Sequence, residues 1–182
     1  MPETAPTVPI APYGVSKLAA ERYVLVYSLL YGIKAASLRF FSVFGPRQKK
    51  QLVYDFFQKL HHNPDQLEII GDGTQIRDLV YVTDVVQALL LVNDHAPLVG
   101  EVYNVGTGQG HSTLEVGEAV ARAAGLEPTI HFTGEIRPGD CDKWIADISR
   151  LELLGFSPHV GLQEGVERIY HWYHDLVEGM PA

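Results

Sequence analysis

The chain has 182 residues, 46% of them apolar and 20% charged, which suits one domain, or one and a fraction, with a packed core and argues against disorder. Its formal net charge of -8, with lysines and arginines scattered, lacks the basic stripe that a nucleic-acid backbone demands. A lone cysteine, Cys141, excludes an intrachain disulfide and suits a reducing, cytoplasmic setting, while no apolar run approaches the roughly 20 residues of a membrane span.

Residues 1–12 are rich in Pro and Thr, hold no apolar signal core and read as an extended lead-in, because proline lacks the N–H that a helix or central strand uses. From 13 to 31, Leu18, Ala19, Tyr23, Val26, Tyr27 and Leu30 recur near helical spacing, and Gly32 marks a stop. Residues 35–41 read as a buried strand, broken by Gly45-Pro46. A helix is expected over 52–61 with Val53, Phe56, Phe57 and Leu60 on one face. A turn at Asn63-Pro64-Asp65, a short strand over 67–70, a tight turn at Gly71-Asp72-Gly73 and a strand over 79–82 come next. Thr83 is placed to cap a helix over 84–93, with Asp84 in the first turn, where the dipole favours an anion.

The remaining elements are a strand over 102–105, a glycine-rich loop, and a helix over 114–124 capped by Ser112 or Thr113 and ended by Gly125. A strand over 130–132, a short helix over 147–154 stopped by Gly155 and a last helix over 162–177 follow, the last with Val166, Ile169, Tyr170 and Tyr173 inward. Short strands and helices alternate, so the class is α/β.

Tyr13-Gly14-Val15-Ser16-Lys17 places a phenol and an ammonium one helical turn apart on one face. A phenol is ordinarily a poor base at neutral pH, and a cation held nearby favours its ionised form, so such a pair can take a proton from a hydroxyl. On spacing alone, a tyrosine at a helix start beside a solvated lysine is the better account, as for any short motif.

The surroundings decide between them. The run from Pro12 to Glu21, Pro-Tyr-Gly-Val-Ser-Lys-Leu-Ala-Ala-Glu, closely resembles the active-site helix of the NAD-dependent epimerase/dehydratase family, the extended short-chain dehydrogenases that act on nucleotide sugars. The resemblance continues in order through Leu38-Arg39-Phe40-Phe41-Ser42-Val43-Phe44-Gly45-Pro46-Arg47-Gln48 and Gly71-Asp72-Gly73-Thr74-Gln75-Ile76-Arg77-Asp78. It then passes through Val82-Thr83-Asp84-Val85, Tyr103-Asn104-Val105-Gly106-Thr107-Gly108, Arg137-Pro138-Gly139-Asp140 and Leu154-Gly155-Phe156-Ser157-Pro158. No single piece is decisive; their order is.

That resemblance implies the C-terminal part of an extended short-chain dehydrogenase. Residues 1–50 would carry the catalytic helix and last strands of a Rossmann-type domain. Residues 51–182 would form mainly a nucleotide-sugar-binding domain, with segments returning to the Rossmann sheet. Tyr13 would be the acid/base on the sugar hydroxyl, and Lys17 would bond the nicotinamide ribose of NAD. Phe40, Phe41 and Ser42 would lie beside the nicotinamide. Ser42, standing where the family usually has Asn, would also face the substrate diphosphate. Arg77 and Arg137 would grip that diphosphate with their guanidinium forks; local pairs with Asp78 and Asp140 are the structural alternative. Asp140 would accept from the nucleotide ribose, and the strand ending at Ile70 would line the base. The 13–31 helix commonly packs against its twin in a family homodimer.

The implied activity is that of a UDP-glucose 4-epimerase acting on a UDP-sugar. A nucleotide-sugar 4,6-dehydratase, which shares these motifs, and a noncatalytic nucleotide-sugar-binding module remain alternatives. The family opens with a strand, a glycine-rich phosphate loop and a helix. The chain has no such opening, and Thr4 and Thr7 lie too near Tyr13 to replace the family's upstream catalytic Ser or Thr. The expectation is a truncated form, inactive alone. Gly106-Thr107-Gly108-Gln109-Gly110 mimics the missing loop, with Glu127 downstream, but has His111 where the third glycine of G-x-G-x-x-G belongs and is read as a turn. His171 and His174 on the last helix, and His61-His62 at a helix end, show no third ligand in a metal-site pattern, and no metal is expected.

Overall fold

The computed structural model describes residues 1–135 and 142–178. Its first helix, α1 (Pro12–Tyr31), begins one residue before the expected start because proline suits the first helical turn, where its missing N–H has no partner to lose. It ends at Gly32, which takes a left-handed φ of 65° and donates its N–H to the Ser28 carbonyl.

The strand expected over 35–41 is two strands. β1 (Ala35–Phe40) is followed by β2 (Ser42–Phe44), and the break falls at Phe41. The Phe41 N–H still bonds the Val105 carbonyl at 2.9 Å, whereas the Ser42 N–H bonds the Asp78 carbonyl at 3.0 Å. The chain thus changes partners between adjacent residues. Next come α2 (Leu52–His62), β3 (Gln66–Ile69), β4 (Ile76–Arg77), β5 (Leu79–Tyr81) and α3 (Val82–His95). They are followed by β6 (Val99–Val105), β7 (His111–Ser112), α4 (Thr113–Ala124) and β8 (Thr129–Phe132). β9 (Lys143–Trp144), α5 (Ser149–Glu152) and α6 (Leu162–Glu178) complete the order. β1 pairs in parallel with β6, β2 with β5, and β3 with β8. β4 lies between antiparallel β7 and parallel β9. The alternating order, parallel pairs and covering helices make this the α/β architecture expected.

Two cores hold these layers. In one, Val53, Phe56, Phe57 and Leu60 of α2 are buried, as the spacing requires, against Leu67 and Ile69 of β3, Val116 and Val120 of α4, and Val166, Ile169 and Tyr173 of α6. Each such aliphatic or aromatic side chain contributes roughly 1.5–3 kcal/mol. In the other, Val80 of β5 and Val85, Ala88 and Val92 of α3 meet Tyr103 and Val105 of β6 and Ile148, Leu151 and Phe156 downstream.

Two local expectations are corrected. Thr83 does not cap α3: the helix starts at Val82, with extended Tyr81 as its boundary, because β5 runs directly into it. Asp84 instead turns its buried carboxylate to the backbone N–H groups of His159 (3.2 Å) and Val160 (3.1 Å), tying α3 to the C-terminal segment. The helix expected over 147–154 is the single turn α5, because Asp147 serves as a local acceptor instead of a helical residue. Its carboxylate accepts the Ser149 N–H at 3.0 Å and hydroxyl at 2.6 Å, which holds it below the usual carboxylate range.

α1 differs from the other long helices. Only Ser28 is buried along it, and Tyr23, Val26, Tyr27, Leu29, Leu30 and Tyr31 are exposed. Its inner side lies on β1 and β6; nothing among the described residues covers the rest.

Candidate active site and substrate cleft

Tyr13 and Lys17 sit one turn apart at the start of α1, and the Lys17 ammonium stands 5.3 Å from the Tyr13 ring centroid, over its face. That is cation–π distance. The phenol is 73% exposed, open to a large partner. Helix α1 is held to β1 by a fork: Arg39 Nε donates to Glu21 Oε2 at 2.7 Å and Nη2 to Glu21 Oε1 at 2.8 Å. The strand so tied leads into Phe40, which is half exposed, and Phe41, whose ring meets Trp144 edge-on at 6.0 Å.

Beyond this break opens a cleft of ≈ 1030 Å³, lined by Phe41 and Ser42 from the β1–β2 junction, Ile70 after β3, and Arg77 of β4. Four of the residues singled out from sequence therefore converge from three segments. Tyr13, Lys17 and Phe40 are not among the lining residues. Arg137 and Asp140 lie outside the described residues; Glu135 and Asp142, which the structure does describe, line the cleft.

Arg77 is half-buried and spends one N–H on the Ile76 carbonyl at 3.0 Å. Lys59, on the same wall, is engaged by Asp55 at 3.2 Å. Asp72, also on the wall, is held below the usual carboxylate range by the backbone N–H and the hydroxyl of Thr74.

Sequence reasoning missed several wall residues. Gln48 lines the cleft and donates to the Val43 carbonyl at 3.1 Å and to Gln51 Oε1 at 3.1 Å. It stands at the end of the motif from Leu38 to Gln48, which was its available signal. Gln75 and Thr113, joined at 3.1 Å, also line it; no periodicity marks them.

The 106–110 loop is closed to phosphate. A phosphate loop needs free amide N–H groups, and here the Thr107 and Gly108 N–H groups donate to the Asp78 carboxylate at 2.7 and 3.0 Å. The start of α4 is likewise closed by a capping box, Ser112 and Glu115 exchanging backbone and side-chain bonds. The histidines of interest lie against aromatic rings, His61 edge-on to Tyr173 at 6.3 Å and His174 tilted against Tyr170 at 5.8 Å. Among the described residues no group of three or more His, Cys, Asp or Glu could hold a metal ion, and no helix is long and apolar enough to cross a membrane.

A model of the NAD dependent epimerase/dehydratase family matches residues 1–106. The chain belongs to this family. An uncharacterized UDP-glucose epimerase of Bacillus subtilis, YtcB, is 35% identical over 172 residues, covering 94% of the chain and 54% of that protein. The crystal structure of UDP-glucose 4-epimerase from Thermotoga maritima, with UDP-glucose, superposes with a TM-score of 0.85 at 33% identity over 97% of the chain and 58% of its own. That of UDP-glucuronic acid 4-epimerase from Bacillus cereus, in complex with NAD, gives a TM-score of 0.87 at 30% identity over 100% of the chain and 57% of its own. The chain thus spans little more than half the length of these relatives. The epimerase/dehydratase family accounts for the order of the motifs and for the fold that joins them.

Proposed function

We propose that this chain supplies the proton-transfer pair and the substrate cleft of a nucleotide-sugar epimerase of the UDP-glucose 4-epimerase type. The observation that carries the reading is the convergence of Ser42, Ile70 and Arg77 on one cleft, whose lining begins at Phe41, directly after the strand to which the Tyr13–Lys17 helix is clamped. In this reading Tyr13 removes the proton from the sugar C4 hydroxyl and returns it after the keto sugar has turned over. Lys17 holds positive charge at the phenol and bonds the nicotinamide ribose, with Phe40, Phe41 and Ser42 along the ring. Arg77 and Arg137 hold the diphosphate, Asp140 the nucleotide ribose, and Ile70 the edge of the base.

NAD, when bound, supplies the hydride acceptor and donor at C4. Tyr13, Lys17 and the exposed Phe40 fit its nicotinamide end. Its pyrophosphate has no matching cradle among the described residues, because the Thr107, Gly108 and Gln109 amides of the glycine-rich turn are already taken. These residues alone therefore bind a UDP-sugar without turning it over, and do so in the cytoplasm. The exposed Tyr23, Tyr27 and Leu30 face of α1 packs against a second copy to give a homodimer. No membrane or nucleic acid takes part.

The test is titration of the purified chain with UDP and with NAD by calorimetry. UDP binding that is weakened, and still measurable, in Arg77→Ala supports the reading; tight NAD binding by this chain alone overturns its second half. With a nucleotide-binding N-terminal half supplied, a C4 epimer is the expected product, and a 4-keto-6-deoxy sugar would instead make the enzyme a dehydratase.

A further inference from the structure

Asp78 is fully buried, yet nothing in the proposed chemistry uses it. Among the described residues, its carboxylate accepts only from donors that lie far away in sequence. Oδ1 takes the Thr107 N–H and the Thr107 hydroxyl, both at 2.7 Å. Oδ2 takes the N–H groups of Gly108 and Ala146, both at 3.0 Å. Four donors on two oxygens are what a carboxylate can accept and what an amide cannot, since an NH2 group would face N–H groups. Packing around the anion is equally tight: a Cβ on Gly106 would lie 2.6 Å from Oδ2 and 2.7 Å from the Ala146 Cβ.

The backbone of Asp78 is also tied on both sides. Its N–H donates to the Trp144 carbonyl at 2.9 Å, and its carbonyl accepts the Ser42 N–H at 3.0 Å. Arg77, the preceding residue, sits in register between His111 of β7 and Trp144 of β9. Both flanking strands are reached by the Asp78 side chain: the 107–108 turn leads into β7, and residue 146 follows β9. One carboxylate thus holds both neighbours of Arg77 in place, while the same residue's carbonyl holds Ser42 on the opposite strand.

We propose that Asp78 is a positioning residue for substrate, setting the guanidinium of Arg77 and the Ser42 backbone at the spacing a diphosphate requires across the cleft. This rests on the reading of Arg77 as a diphosphate ligand. Removing the charge leaves the 106–108 turn and residue 146 with unmet donors, loosens β7 and β9, and lets Arg77 drift. The fold persists because Asp78 is itself a member of neither core and the apolar packing of both is unchanged.

The experiment is a double-mutant cycle on the chain as it exists, with UDP as the probe, reading its dissociation constant by calorimetry. Asp78→Asn should weaken UDP by about tenfold, the scale of losing hydrogen bonds to a charged group. The same change made on Arg77→Ala should weaken it no further, because coupled residues are non-additive. A merely structural aspartate would give equal losses in both backgrounds, and that result overturns the proposal, as does unchanged UDP affinity in folded Asp78→Asn. Should Asp78→Asn not fold, Thr107→Val removes the hydroxyl bond to Asp78, together with that hydroxyl's contacts to Gln109, leaves the N–H bonds to the carboxylate in place, and carries the same cycle, with the same two results decisive. If Arg77→Ala alone leaves UDP affinity intact, the diphosphate reading falls first, and this inference with it.

Discussion

Glu21 and Arg39 meet as a two-pronged fork, at 2.7 and 2.8 Å, that pins helix α1 to strand β1. Residues that would carry protons and residues that would contact a nicotinamide lie on those two elements, so the fork fixes one relative to the other. The hydrogen bond from Arg39 is the main cause holding the Glu21 carboxyl below its usual value of 4.5. A depressed folded value means that the stabilisation is complete above that usual value and is lost as pH falls through the folded one. Glu21→Gln should therefore cost about 2 kcal/mol near neutral pH, and the cost should shrink as the medium is acidified. Urea unfolding at several pH values checks this; a penalty that does not change with pH would show that the pair is not the source.

The exposed Tyr13 and Lys17 should matter for chemistry and not for folding. In an enzyme completed by a nucleotide-binding half, Tyr13→Phe should lower turnover by about a thousandfold, within the range of general acid–base catalysis. Thermal unfolding should stay within about 0.5 kcal/mol of the parent, as for surface substitutions generally. A Tyr13→Phe enzyme with full turnover would remove the phenol from the mechanism.

Gly165 of α6 sets two effects against each other. Alanine is better in a helix by about 1 kcal/mol. A Cβ at this position, however, would lie 2.6 Å from two ring atoms of Phe44 and 3.0 Å from Tyr81. Those rings are buried and locked edge-on at 5.4 Å. Overpacking costs about 1–3 kcal/mol, so Gly165→Ala should lower stability in denaturant titration despite its propensity.

The capping box of α4 offers a local test. Ser112→Ala removes the acceptor for the Glu115 N–H, a 3.1 Å bond, and should cost about 1 kcal/mol. Ser112→Asp, which restores an acceptor, should recover most of it by the same denaturant measurement.

Self-association should run through α1. Tyr27→Glu together with Leu30→Glu places charge on an exposed apolar face and should give a monomer in sedimentation, with unchanged circular dichroism. Persistence of a dimer would move the interface elsewhere.

Much of this was legible in the chain itself. The faces of α2 and α6 followed from apolar spacing, because a helix with one apolar stripe has one way to bury it. The Tyr13–Lys17 pair followed from motif order. The two-residue strands β4, β7 and β9 were not legible as periodic segments, because two residues carry no period. The Phe41 break was hidden as well, since the 35–41 run is mostly apolar with no turn residue inside it, and the change of partner is decided by strands far along the chain.

By itself, the sequence determined the α/β class and the family and singled out the Tyr13–Lys17 pair as the candidate for proton transfer, since these depend on local pattern and on the order of short motifs. Only the tertiary structure decided that Ser42, Ile70 and Arg77 share one cleft and that the 106–110 loop is closed to phosphate. Only the fold, too, placed Asp78 between Ser42 and the neighbours of Arg77. The physical reason is common to all three: each depends on hydrogen bonds between residues tens of positions apart, and local periodicity records none of them.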